Sequence, residues 1–227
     1  MRLSHVTIGV GESSLKHCRN IEAEDCEFGG KYVFWECDHV LARHCSFPTT
    51  ARSSMWYTRD IHLIDCQVTA PKMFRRASGV VVEGVHFTDA QEMFWDCDHI
   101  QLRDVQLTNA DYAYMHSTDI DIADYHQDGN YSFQQARRIH IQNAVLNSKD
   151  ALWEAEDATL EDCEINGEFL AWYSQNLRLV RCKISGTQPL CYCKNLIMED
   201  CTLADDCDHP FEYSTVNGQY TGRVEWQ

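Results

Sequence analysis

Apolar and small residues recur along this chain in short alternating runs that restart every 19 to 21 residues. The first position of each run is Ile21, Val40, Ile61, Val80, Ile100, Ile120, Ile139, Ala158, Leu177 and Leu196, called the anchor below. Two residues on stand Ala23, Ala42, Leu63, Val82, Leu102, Ile122, Ile141, Leu160, Leu179 and Met198. Five residues after the anchor stand Cys26, Cys45, Cys66, Val85, Val105, Tyr125, Ala144, Cys163, Cys182 and Cys201, followed two steps later by a column rich in Phe, Leu and Ile. Steps of two with one step of three describe strands with a corner between them. No stretch of ten or more residues keeps a helical apolar stripe, so long helices are not expected.

A fixed short period of this kind is the signature of a solenoid. One repeat makes one coil of two or three short strands, and a coil cannot bury its inner face alone. Stacked coils pair like strands in parallel at ~4.8 Å and align equivalent side chains in ladders. The expected fold is all-β: a single-stranded parallel β-helix, with about eleven rungs and a length on the order of 50 Å. The right-handed form is expected because the hexapeptide rhythm of left-handed helices is absent. The residue before each anchor is often Asn, Asp or Gly, as at Asn20, Asp60, Gly79, Asp119, Asp157, Asn176 and Asn195. These residues suit left-handed turns. Small residues about ten positions before the anchor, such as Gly30, Ala51, Ala70, Ala90, Ala110, Gly129, Gly167 and Gly186, mark a second tight bend. The repeat is unbroken by any linker, so residues 1–227 are read as one domain.

Composition adds three constraints. Ten of the 12 cysteines fall in two columns, the Cys26 column above and one three residues before the anchor that holds Cys18, Cys37, Cys97 and Cys193. In both, Cys alternates with Ala, Val, Ser or Thr, so it reads as a compact inward filler, and neither a metal site nor a cofactor is expected. The net charge of -16 argues against direct nucleic-acid contact, which needs clustered Lys and Arg. It suits neutral or cationic partners and also admits an acidic mimic of nucleic acid. Met1–His5 lacks a signal-like apolar stretch and no run approaches a membrane span, so a cytoplasmic protein without membrane contact is expected.

Aligned on its rungs, the chain resembles a family of bacterial β-helix proteins, domain of unknown function 3737. The resemblance rests on long segments. They include Ala51-Arg52 through Trp56-Tyr57-Thr58, Ala70-Pro71-Lys72-Met73-Phe74-Arg75, Asp128-Gly129-Asn130-Tyr131-Ser132-Phe133 and Ser148-Lys149-Asp150-Ala151-Leu152-Trp153. Leu170-Ala171-Trp172-Tyr173-Ser174 and Phe211-Glu212-Tyr213-Ser214-Thr215-Val216 extend it towards the C-terminus. It implies a right-handed β-helix of the pectate-lyase-like class and no established function. Some relatives carry a hydrogenase label. This sequence lacks the paired cysteine motifs that hold nickel–iron or iron–sulfur clusters, so hydrogenase activity is not expected.

One stretch of each repeat concentrates chemistry. Five residues before the anchor lie Trp35, Trp56, Arg75, Trp95, Met115, Gln134, Trp153, Trp172 and Cys191, a column holding five of the 6 tryptophans. The column before it is Phe34, Met55, Phe74, Phe94, Tyr114, Phe133, Leu152, Ala171 and Leu190. If the Phe-rich column fills the core, the Trp column faces out along one wall. Aromatics at rung spacing can stack on the sugars of an extended glycan, or pack under a loop or in a dimer interface. The next column runs Glu36, Tyr57, Arg76, Asp96, His116, Gln135, Glu154, Tyr173 and Tyr192. Arg76, Asp96 and His116 fall on consecutive rungs ~5 Å apart and could run acid–base chemistry as a lyase or hydrolase. They could equally be a charge ladder worth little when exposed. Glu154 and Glu168 form a weaker candidate carboxylate pair.

The expected ligand-binding set is therefore Trp35, Trp56, Tyr57, Lys72, Arg75, Trp95, Trp153, Glu154, Trp172 and Tyr173, with Arg76, Asp96 and His116 as the candidate catalytic centre. Three functions compete. The first is an oligo- or polysaccharide-binding or -processing β-helix. The second is a non-catalytic protein-interaction module or homodimer using the same wall. The third is an acidic nucleic-acid mimic.

Overall fold

Residues at equal places in successive repeats stand side by side. In the computed structural model, which describes residues 1–222, the chain winds as a parallel β-solenoid of about 12 turns. Ile100 pairs with Ile120, Leu102 with Ile122, Val105 with Tyr125 and Leu107 with Gln127. The same register carries Ile21 to Val40 and Val80 to Ile100. The ladder runs beyond the ten anchors at both ends, where Leu3 pairs with Ala23 and Val216 with Leu196. Of the domain expected over 1–227, residues 223–227 lie outside the described residues.

Every strand pairing among the described residues is parallel, and one sheet of 18 strands wraps the molecule. In the central turns two faces merge into single bent strands, Ser78–Phe87, Asp98–Leu107, Thr118–Asp128 and Arg137–Asn147. Nearer the ends the same path breaks into a longer and a shorter strand, as in Arg19–Glu24 and Glu27–Phe28. Thr49–Ala51 form one 3-10 turn, and there is no α-helix among the described residues. Among the described residues no helix is long and apolar enough to cross a membrane.

The corners are where the sequence placed them. Asn20, Asp60, Asp119, Asp157 and Asn176 have φ between 51° and 56°, the left-handed region these residues tolerate. At the second bend Gly186 has φ 112°, and a Cβ there would lie 2.2 Å from the Gly167 carbonyl oxygen on the turn before. Only glycine admits that approach.

The core is a set of ladders. Phe74, Phe94, Tyr114 and Phe133 form a continuous stack, with centroids 4.7, 5.0 and 4.3 Å apart and planes within 7° of parallel. The Phe-rich column is buried throughout. Cys26, Cys45, Cys66, Cys163, Cys182 and Cys201 are buried free thiols. Their sulfurs donate to backbone carbonyls, as Cys163 does to Glu161 at 3.1 Å and Cys201 to Leu179 at 3.3 Å. Three residues before the anchor, Thr58 and Ser117 accept from the amides of Cys37 and Cys97 at 3.2 and 3.0 Å, tying adjacent turns together. One core network is polar. The hydroxyls of Tyr114 and Tyr125 lie 3.0 Å apart, and Tyr125 donates to Gln127 Oε1 at 2.7 Å.

Candidate functional site

The wall that carries the candidate residues is built differently from the other faces. Met55–Trp56 and Phe74–Arg75 pair as a two-stranded sheet there. Elsewhere the wall consists of turns in which alternate residues, such as Phe94 and Asp96 or Leu152 and Glu154, have φ between 53° and 60°. Bulky residues in this region are strained. The aromatic core stack and the backbone bonds between turns hold them, for example His116 N–H to the Gln134 carbonyl at 3.0 Å. The result is a repeating order of side chains: the first buried, the second half-buried, the third exposed.

The half-buried line contains Trp35, Trp56, Arg75, Trp95, Trp153 and Trp172. Their faces lie against one another along the solenoid axis. Trp35 stacks on Trp56 at 5.4 Å and Trp153 on Trp172 at 5.5 Å. The Arg75 guanidinium is sandwiched between Trp56 and Trp95, 4.5 and 4.4 Å from the ring centroids. The indole N–H groups are also engaged. Trp56 donates to the Lys72 carbonyl at 2.7 Å, Trp172 to that of Gln188 at 2.8 Å, and Trp95 to that of Tyr112. Lys72 and Arg75 converge on one carboxylate, Glu92, at 2.7 and 3.1 Å.

From Tyr57 to Glu154 the exposed line is a chain of contacts across successive rungs. Arg76 lies 5.8 Å over the Tyr57 ring, and its Nε is 3.8 Å from Asp96. The other oxygen of Asp96 is 3.3 Å from His116 Nδ1. His116 Nε2 is 2.6 Å from Gln135 Oε1, and Gln135 Nε2 donates to Glu154 at 2.7 Å. Tyr173, Tyr192 and Tyr213 continue the line as a stack with 4.8 and 5.1 Å spacing.

Arg76, Asp96 and His116 thus do come together on one face. Both imidazole nitrogens of His116 are taken by neighbouring rungs, and Asp96 is held from both sides. A general acid or base needs an atom free to reach its substrate, and in this arrangement both His116 nitrogens and both Asp96 oxygens face neighbouring side chains. Of the candidate carboxylate pair, Glu154 accepts from Gln135 at 2.7 Å and Glu168 binds Lys149 at 3.4 Å.

Two features escaped the sequence reading. The first is Gln135 as the bridge between His116 and Glu154. The second is a hollow of about 400 Å³ beside Trp153, lined by Tyr131, Gln134, Gln135, Asp150, Trp153 and Glu154. Asp150 is its buried member, and burial raises its carboxyl above the ordinary value, with Glu168 adding to the effect and Lys149 opposing it. The available signal was the column eight residues before the anchor, where Asp150 stands between Tyr131 and Phe169 on neighbouring rungs. Elsewhere, Asp38, His39 and Asp60 are grouped closely enough to hold a metal ion. His39 Nδ1 is 2.9 Å from Asp60, and Arg59 lies 3.4 Å from Asp38.

Residues 1–226 match the family described as Protein of unknown function (DUF3737). The chain belongs to that family. No curated protein matches this DUF3737 member. Among solved structures it is similar to QnrB1, a plasmid-mediated fluoroquinolone resistance protein. Identity there is 13% and the TM-score 0.37, over 96% of this chain and 92% of that one. It is also similar to the A-module of the Azotobacter vinelandii mannuronan C-5 epimerase AlgE4. That match has 8% identity and a TM-score of 0.31, over 98% and 78% of the two chains. A third, HetL, is a pentapeptide repeat protein involved in heterocyst differentiation regulation from Nostoc sp. strain PCC 7120. It has 12% identity and a TM-score of 0.23, over 94% and 84%. At these TM-scores none of the three informs the function of this chain.

Proposed function

We propose that this protein is a non-catalytic interaction module that presents its aromatic wall to a protein partner carrying positive charge. The observation that carries this reading is that the wall is already self-satisfied. Most of its indoles stack on a neighbouring ring or on Arg75, three donate their N–H groups to the backbone, and the ionisable line is bonded rung to rung. What solvent meets is a pre-ordered surface of Trp edges, Tyr rings and Arg, the residue types that dominate protein-interface energetics. Rigid side chains lose little entropy on binding. The net charge of -16 favours a basic partner. The free thiols support a cytoplasmic location.

A photo-crosslinking residue at Tyr173, which is 44% exposed, tests the reading in cells. A partner captured there, and no longer captured when Arg76→Ala and Tyr213→Ala are combined, is the expected result. Capture of a second copy of the chain would make the wall a homodimer interface instead.

An oligo- or polysaccharide is the second reading. It is favoured by the hollow beside Trp153 and a neighbouring one of about 500 Å³ between His116 and Tyr173. Against it, most indole faces along the wall already lie against a neighbouring ring or Arg75, which leaves an extended sugar chain few rungs to stack on. A glycan array that gives binding abolished by Trp153→Ala would replace the protein-partner reading.

A further inference from the structure

We infer that the hollow beside Trp153 is a receptor for an alkylammonium group, the head of a lysine side chain on the partner. The inference rests on reading the wall as a partner-facing surface, and it names the chemistry of one spot on it.

Asp150 carries the argument. It is only 9% exposed, and its carboxylate has no hydrogen bond or ion pair among the described residues. The side chain is largely enclosed while its oxygens remain reachable by solvent, so no protein group replaces the hydration that enclosure removes. Every comparable acid nearby has one: Glu92 holds Lys72 and Arg75, Asp96 holds Arg76 and His116, and Glu168 holds Lys149. Asp150 instead lines an open hollow.

The rest of the lining completes a cation site. Tyr131 stacks on Tyr112 at 4.6 Å, and Trp153 stacks on Trp172, so both rings are fixed in place. Glu154 uses one oxygen for Gln135, and its other oxygen has no bond among the described residues. Two carboxylates of one turn, two aromatic rings and the Gln134 amide therefore surround about 400 Å³. Negative charge beside π faces is the combination that recognises an ammonium. A compact three-donor ammonium can divide its protons among such separate acceptors, whereas a planar guanidinium favours one bidentate carboxylate. The groups that set the charge here are Asp150, Glu154, Lys149 and Glu168.

Isothermal titration calorimetry at low salt and neutral pH tests this with the full chain and three probes. These are a short peptide with one central lysine, the same peptide with that lysine acetylated, and free cadaverine. The lysine peptide should bind one to one. Asp150→Asn should weaken it by about tenfold or more and Glu154→Gln by less, while both variants keep the wild-type melting transition. The acetylated peptide should not bind. Equal binding of the lysine peptide to wild type and Asp150→Asn, equal binding of the acetylated peptide, or no binding at millimolar peptide would each overturn the assignment. Cadaverine binding as tightly as the peptide, through Asp150, would give the site to a free diamine and overturn the lysine reading. Crosslinking from Tyr173 is independent of Asp150, so failure of this site is distinguishable from failure of the interaction reading.

Discussion

Single residues in this chain are defined by the column they occupy. Cys182 lies in a ladder where the neighbouring Cys163 thiol, together with burial, pushes its pKa up to about 12. Cys182→Asp should cost roughly 3–5 kcal/mol in chemical denaturation, because it places an unpaired charge in that ladder. Native Cys182 should label slowly with thiol reagents. Asp150 is the opposite case, a carboxylate already largely enclosed. Its carboxyl is raised by burial, so the folded state holds the proton more tightly than the unfolded one. Stability from this group is therefore present at low pH and lost as pH rises through the folded pKa. Asp150→Asn should remove that loss and melt at or above the wild-type temperature near neutral pH. A lower melting temperature would mean that Asp150 has a stabilising partner. The columns themselves were legible in the sequence because each residue type recurs at a fixed interval. The isolation of Asp150 was not, because it depends on which partners the adjacent rungs supply.

At the scale of elements, the anchor strands and the wall follow different rules. Alternating apolar residues and Asn or Asp corners announced the strands, and the pairing follows the sequence alignment position by position. The wall was read as a strand, yet most of it is a run of left-handed turns. The turn signal was hidden because Phe94, Tyr114 and Leu152 occupy left-handed positions where Gly or Asn would have announced them. The sequence also placed the tryptophans on one wall, but their stacking along the axis depends on rotamers that no spacing reports. These turns are held by the aromatic stack beneath them. Phe94→Ala, which removes the ring between Phe74 and Tyr114, should therefore destabilise by about 3–5 kcal/mol. Hydrogen exchange should show the added opening concentrated in the turns on either side of Asp96. Arg75→Met keeps the stem but removes the charge between two indoles and beside Glu92. A loss of about 1–2 kcal/mol is expected, with a change in tryptophan emission.

At the scale of the whole molecule, the exposed faces are ladders of charge between rungs. Arg138 holds the Asp119 carboxyl below its ordinary value near 3.8, Asn147 does so for Asp128, and Arg181 for Asp162. For these groups the folded state releases the proton more readily. Their stabilisation is present above the unfolded value and lost as pH falls through the folded one. Acid unfolding should therefore set in below about pH 4, and added salt at neutral pH should weaken the exposed pairs. A protein with no loss of stability between pH 5 and pH 2 would contradict the ladder description.

The central claim is that one wall of the solenoid is a pre-ordered partner surface. The most direct measurement places the same photo-crosslinking residue, one at a time, at Tyr57, Tyr173 and Tyr213 on the wall and at Gln67, Gln106 and Glu164 on other faces, in cells of the source organism. A single partner should be captured from the wall positions and be absent from the others. The same capture from all faces, or from none of the wall positions, would contradict it.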